Sequence, residues 1–148
     1  MTVSDAIFKA YDIRGTVPDQ LDASACRAIG WAFATFAAAP RILVGRDMRS
    51  SGVELSAAFA EGVAAAGTAV VDLGLASTDV VYFASGRLDA PGAMFTASHN
   101  PAAYNGIKLC LTGARPVGQE TGLETIRSVA DQAPAGRGAG AGSRSGVV

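Results

Sequence analysis

Residues 42–74 read ILVGRDMRSSGVELSAAFAEGVAAAGTAVVDLG. Ile42 to Gly45 is a short aliphatic and β-branched run, the pattern of a strand buried on both faces. Ser51 and Glu54 stand at the S-x-x-E spacing in which each side chain satisfies a free N–H of a helix's first turn. Leu55, Phe59 and Val63 follow at i, i+4 and i+8, on one helical face. Gly67 is placed to end that helix in a left-handed conformation, and Thr68 to Gly74 is a second buried strand. Strand, helix, strand in this order predicts a crossover unit in a largely parallel sheet.

The same alternation continues outward. Upstream, Ala6 to Ile13 reads as a first strand, ended by Arg14-Gly15. Asp22 can cap a helix whose Cys26, Ile29, Phe33 and Phe36 share one face, and Pro40 stops it. Downstream, a short helix is expected over Thr78 to Ser85, with Val81 and Tyr82 directed inward. Gly92 to Thr96 and Ile107 to Leu111 read as strands, and Gln119 to Ala130 as a last helix. The expectation is an α/β chain: a three-layer α/β/α domain over residues 1–132 with a mostly parallel mixed sheet. Such sheets place ligands beyond the carboxyl ends of strands, so the loops after Ile13, Gly45, Gly74 and Thr96 are the ones to inspect. From Ala133 onward the chain is almost all Gly, Ala, Ser and Arg, which predicts a flexible linker or tail over residues 133–148.

Composition limits the function classes. The 148 residues are 49% hydrophobic and 17% charged, with a formal net charge of −1. That balance offers no basic field for nucleic acid and no polybasic membrane patch. No apolar run is long enough to span a bilayer, and the N-terminus lacks the basic-then-apolar order of a signal peptide, so the cytoplasm is expected. Cys26 and Cys110 are expected to be buried reduced thiols.

The chemistry concentrates in FTASHNPAAYNGIK, from Phe95 to Lys108, which holds the chain's only histidine. The bland reading is a polar turn, since Ser, Asn and Pro all favour turns. The sharper reading makes Ser98 a nucleophile. His99 is adjacent in sequence, where side chains rarely meet, so no Ser-His-Asp triad is implied. Ala97 and Asn100 do not fit a G-x-S-x-G elbow. A serine phosphorylated during turnover fits better. It needs N–H donors, cations and a divalent ion around the phosphate, and His99, Asn100, Lys108, Arg14 and Arg46 could supply several of these. Each also has an ordinary reading: a solvated ion pair for Arg14, strand packing for Tyr11, an exposed edge for Lys108, a local Arg46–Asp47 turn pair.

Taken together, FTASHNP with YNGIK resembles the active-site serine loop of the α-D-phosphohexomutases. KAYDIRG at Lys9 to Gly15 resembles that family's N-terminal loop, VGRDMRSSG at Val44 to Gly52 its second signature, and GLASTDVVYFA at Gly74 to Ala84 the stretch leading to the serine strand. The four occur in family order, and YDIRG with TASHNP is most similar to the bacterial phosphomannomutase/phosphoglucomutase group.

The resemblance implies an enzyme that interconverts hexose 6-phosphate and hexose 1-phosphate through a phosphoserine and a 1,6-bisphosphate. It makes Ser98 the phosphoserine and, through its phosphate, one ligand of Mg²⁺. Lys108 matches a lysine of proton transfer and charge stabilisation. Tyr11, Arg14, His99 and Asn100 match residues lining that end of the cleft. Glucose or mannose 1,6-bisphosphate is the implied activator, hexose phosphates are the substrates, and downstream domains of the same enzyme are the partners. Members have four domains. The DGDxDR-like metal loop, the GEmSG-like sugar loop and the SGTEP-like phosphate loop are not found in this sequence. The chain alone is therefore expected to be inactive. A non-catalytic α/β module binding a phosphate-bearing ligand or a protein, and a phosphoglucosamine mutase fragment, stand as alternatives.

Overall fold

The structure, a computed structural model, describes residues 3–134 and 144–146. The unit read from residues 42–74 forms as expected. β2 (Arg41–Arg46) leads through α2 (Gly52–Ala65) to β3 (Ala69–Leu75), and the two strands pair in parallel. Leu55, Phe59 and Val63 are all fully buried, and Gly67 takes φ 89° after the helix.

The sheet is mixed. β4 (Gly92–Phe95) joins β2 in parallel, so β4, β2 and β3 run the same way. β5 (Tyr104–Leu111) then returns antiparallel to β4 and is paired on its other side by β1 (Ile13–Thr16), also antiparallel. The two-residue β6 (Arg115–Pro116) pairs with the end of β5.

Helices cover both faces. α1 (Ala23–Ala37), α2 and α4 (Leu123–Ala130) build the main core with Ile42, Val44, Val70, Phe95, Ile107 and Leu109 of the strands. α3 (Thr78–Leu88) covers the opposite face, where Leu43 and Val71 meet Ala84 and Leu88. Asp22 starts α1 as expected, its carboxylate accepting the Ala25 N–H at 2.8 Å. α1 and α2 cross at two glycines. A Cβ on Gly30 would sit 2.1 Å from the Phe59 carbonyl oxygen, and one on Gly62 would sit 1.9 Å from that of Arg27. The two backbones touch only because neither position carries a side chain.

Three local expectations are corrected. Residues 6–13 are not a strand: Asp5–Ile7 forms a 3₁₀ turn capped by Ser4, the chain doubles back, and β1 starts only at Ile13. Ser51 precedes α2 but makes no side-chain cap bond, because its hydroxyl accepts the Asn105 amide at 2.8 Å from across the sheet. The last helix is broken at Gly122, φ 146°, leaving a 3₁₀ turn over Gln119–Thr121 before α4. Gly15, Gly45 and Gly106 all lie within strands. Gly106 is needed because a Cβ there would stand 2.4 Å from the Ile13 carbonyl oxygen and 2.9 Å from that of Thr96.

The sequence reading also placed residues 133–148 in a flexible tail. Residues 135–143 and 147–148 lie outside the described residues. Arg144–Gly146 forms β7, a short strand pairing in parallel with β3 at the sheet edge.

Candidate functional site

Register places the first group of side chains. β1 and β5 pair Ile13 with Ile107 and Arg14 with Gly106. Side chains alternate along a strand, so Ile13 and Ile107 enter the main core while Arg14 and Lys108 lie on the α3 side. Extending the register by one residue sets Asp12 opposite Lys108. Asp12 is buried, and its carboxylate serves both cations: Arg14 Nη2 donates to Oδ1 at 3.2 Å, and Lys108 Nζ lies 3.5 Å from Oδ2. Two cations share one carboxylate, so the cluster keeps a net positive charge. Arg14 Nε is buried with no protein partner among the described residues. Tyr82 of α3 lies toward this cluster. Burial first, then Cys110 and Asp12, raise its hydroxyl above the ordinary value.

The second group is the loop from Thr96 to Ala103, which joins β4 to β5. Ser98 and His99 are exposed there and Asn100 is half-buried. Ser98 adopts φ 54°, a left-handed conformation uncommon outside glycine. Its N–H donates to Thr96 Oγ1 at 3.1 Å. Asn100 closes the turn twice on the Ala97 carbonyl, through its N–H at 3.0 Å and its side-chain amide at 2.8 Å. The turn residues are thus 97–103. Tyr104-Asn105-Gly106 lies outside the turn and forms the start of β5, three residues before the strand start expected at Ile107. Lys108 returns because β5 is the hairpin partner of β4, opposite Met94.

One residue that the sequence reading passed over organises this loop. Arg49 Nη2 donates to the carbonyls of Ser98 and Asn100 at 2.9 and 2.8 Å, and Nη1 to those of Pro101 and Tyr104 at 2.8 and 2.9 Å. Asp47 holds the guanidinium from behind, with Oδ2 3.6 Å from Nε and Oδ1 accepting the Arg49 N–H at 3.0 Å. Asp47 itself donates its N–H to the Phe95 carbonyl at the end of β4. The Arg46–Asp47 turn pair therefore does not form, because Asp47 pairs with Arg49 instead. The signal was present in VGRDMRSSG: a carboxylate and an arginine two residues apart at the exit of a buried strand. Asp12 was passed over in the same way within KAYDIRG.

The structure thus brings Arg14 and Lys108 together on Asp12, and gathers Ser98, His99 and Asn100 on one loop. Among the described residues, hydrogen bonds tie that loop to Arg49 rather than to Lys108 or Arg14. Tyr11 stands exposed at the lip of a cleft of about 890 Å³ that it forms with Ala10, Pro116, Gly118 and Gln119, and Ser98 does not line that cleft. No group of three or more His, Cys, Asp or Glu side chains able to hold a metal gathers among the described residues, and no helix there is long and apolar enough to cross a membrane.

A family model described as phosphoglucomutase/phosphomannomutase, alpha/beta/alpha domain I, matches residues 5–135. A protein named "Phosphohexose mutases" from Xanthomonas campestris pv. campestris is 46% identical over 132 residues, which are 87% of this chain and 30% of that protein. A phosphomannomutase from Klebsiella pneumoniae is 42% identical over 126 residues, 84% of this chain and 80% of that sequence. Among solved structures, a phosphoglucomutase/phosphomannomutase family protein from Burkholderia thailandensis superimposes with a TM-score of 0.86 at 36% identity, over 98% of this chain and 33% of that one. The chain therefore spans about a third of the Burkholderia protein and somewhat less of the Xanthomonas one.

Proposed function

The chain belongs to the phosphoglucomutase/phosphomannomutase family, as its α/β/α domain I, and on that premise we propose that it carries the phosphoserine of a hexose-phosphate mutase. In this reading Ser98 gives its phosphoryl group to a hexose monophosphate, and the 1,6-bisphosphate so formed returns the other phosphoryl to Ser98. The net reaction interconverts hexose 6-phosphate and hexose 1-phosphate, an isomerase reaction run as an intramolecular phosphotransfer. The observation that carries it is the setting of Ser98. Its hydroxyl-bearing residue is exposed on a tied-down loop at the carboxyl end of β4, where sheets of this kind place ligands.

Phosphoryl transfer asks a protein mainly for positioning and charge neutralisation. The positively charged Asp12–Arg14–Lys108 cluster on the neighbouring strands supplies charge. Lys108 is the group to hold or pass a proton beside the transferred phosphoryl. Arg14, about one-third exposed beside Asp12, has guanidinium N–H groups to offer a phosphate oxygen. His99 and Asn100 are assigned to the substrate phosphate beside Ser98, and Tyr11 to the substrate from its own cleft at Ala10 and Gly118. The Asn100 side-chain amide is already committed to the Ala97 carbonyl, so its free atom is the Oδ1 acceptor. Mg²⁺, when bound, would neutralise charge on the Ser98 phosphate, with its protein ligands coming from outside these residues.

The remaining walls of the cleft are assigned to further domains of a longer cytoplasmic enzyme. Leu75, Val80 and Phe83 are exposed large apolar side chains at or beyond the carboxyl end of β3, as a face that packs against another domain would present them. This chain by itself is expected to show no turnover.

The test joins the chain to the remainder of a full-length relative such as that from Xanthomonas campestris. After treatment with glucose 1,6-bisphosphate and Mg²⁺, mass spectrometry should find phosphate on the Ser98 peptide, and Ser98→Ala should abolish both label and turnover. Phosphate on Ser50, Ser51 or Ser85 instead would refute the assignment.

A further inference from the structure

An arginine beside a phosphorylated residue is ordinarily read as a phosphate ligand, because its fork matches phosphate oxygens. The contacts of Arg49 argue against that reading. Both terminal nitrogens are engaged by carbonyls, two each, and Nε faces Asp47. Little of the guanidinium is left for an anion. We propose that Arg49 is the positioning residue of the serine loop: it turns the loop's carbonyls inward, so that its amides and the Ser98 side chain face outward as an anion cradle. The proposal rests on the reading of Ser98 as the phosphoserine.

The geometry follows from the planar trans peptide, in which C=O and the next N–H point in opposite directions. Arg49 draws in the Ser98 carbonyl, so the His99 N–H points away from it. It draws in the Pro101 carbonyl, so the Ala102 N–H does the same. Neither N–H donates to an acceptor among the described residues. Outward N–H groups beside a left-handed residue form the kind of concavity that binds anions. Ser98 holds φ 54° without glycine's freedom, which requires surrounding contacts to impose it. The Arg49 bond to the Ser98 carbonyl and the Thr96 hydroxyl bond to the Ser98 N–H are those contacts.

Lysine keeps the charge of Arg49 but has three donors on one point in place of a planar fork, so it cannot span four carbonyls. The test compares wild type with Arg49→Lys in the 148-residue chain, each also prepared with phosphoserine incorporated at position 98. Amide exchange should show protection of Asn100 and Tyr104 falling at least tenfold in Arg49→Lys, while α1 and β2 stay within twofold. By ³¹P titration, the second pKa of the Ser98 phosphate should lie below the ordinary value of about 6 in wild type and return toward it in Arg49→Lys. The Arg49 side-chain ¹⁵N signals should not move on phosphorylation. If Arg49→Lys unfolds the chain, Asp47→Asn is measured instead, since it loosens the fork without removing it. Unchanged loop protection and an unchanged phosphate pKa would overturn the proposal. So would a shift of the Arg49 signals on phosphorylation, which would make it a direct ligand. These readouts need no turnover, so they can fail while Ser98 labelling succeeds, or hold while it fails.

Discussion

Asp12 and Lys108 face one another across β1 and β5, with Lys108 Nζ 3.5 Å from Asp12 Oδ2 and Arg14 on the other carboxylate oxygen. Replacing Asp12 with Asn leaves two cations side by side with no counter-charge. Breaking a buried pair costs several kcal/mol, but Arg14 and Lys108 are each about one-third exposed, so water screens part of the repulsion. Asp12→Asn is expected to cost about 1–2 kcal/mol. Urea unfolding should show the loss, and it should shrink as salt is raised.

Gly62 offers a contest between two known effects. Alanine in a helix interior ordinarily gains about 1 kcal/mol over glycine. Here the new Cβ would stand 1.9 Å from the Arg27 carbonyl oxygen, and backbone cannot step aside as a flexible side chain would. Overpacking of this kind costs about 1–3 kcal/mol, so Gly62→Ala should destabilise on balance. Gly86 in α3 has nothing near its Cβ position, and Gly86→Ala should stabilise slightly. Parallel urea titrations of the two variants make the comparison.

Cys26 is fully buried, and burial, with Asp22 and Glu54 adding to it, pushes its thiol far above the ordinary value. Burial likewise raises Cys110. A group whose pKa is raised on folding contributes stability while both states are protonated, and that contribution is lost as pH rises. Loss begins once the unfolded thiol ionises, near pH 8.5 in an ordinary peptide. Stability should therefore fall above about pH 8.5. Cys26→Ala should lower the overall stability by leaving a small cavity, yet flatten that alkaline decline. Both thiols should resist iodoacetamide at pH 8 in the folded chain.

Asn105 is fully buried, and its side-chain amide donates to Ser51 Oγ at 2.8 Å. Ser51→Ala leaves that donor unpaired, at a cost of about 1–3 kcal/mol. A lost helix cap would instead loosen the first turn of α2. Exchange rates of the amides of residues 53–55 should stay near wild type in Ser51→Ala. A specific increase confined to them would restore the capping role read from the S-x-x-E spacing.

Where the sequence was misleading, the cause was a partner far along the chain. Ser51 and Glu54 satisfy a local rule, but Asn105 arrives from β5 and takes the hydroxyl. Residues 6–13 carry apolar side chains suited to a strand, yet Ser4 caps a 3₁₀ turn there and the chain folds back before β1. Arg49 offers no periodic or compositional signal of its own. Its four acceptors lie between Ser98 and Tyr104, brought to it by the pairing of β4 beside β2.

What the residues determined by themselves was local and periodic. The short aliphatic runs at Ile42 and Val70, the Asp22 cap, the one-sided spacing of Leu55, Phe59 and Val63, and the left-handed Gly67 depend on neighbours within a few positions, and they yield the α/β layers directly. The serine loop was likewise legible as a concentration of polar groups after a buried strand. The tertiary structure alone decided which groups meet. Asp12 binds both Arg14 and Lys108 because antiparallel register sets residue 12 opposite residue 108. Arg49 holds the loop because two parallel strands end side by side. Register and strand order are fixed by the packing of the whole sheet against its helices, a cooperative sum that no short stretch of residues contains.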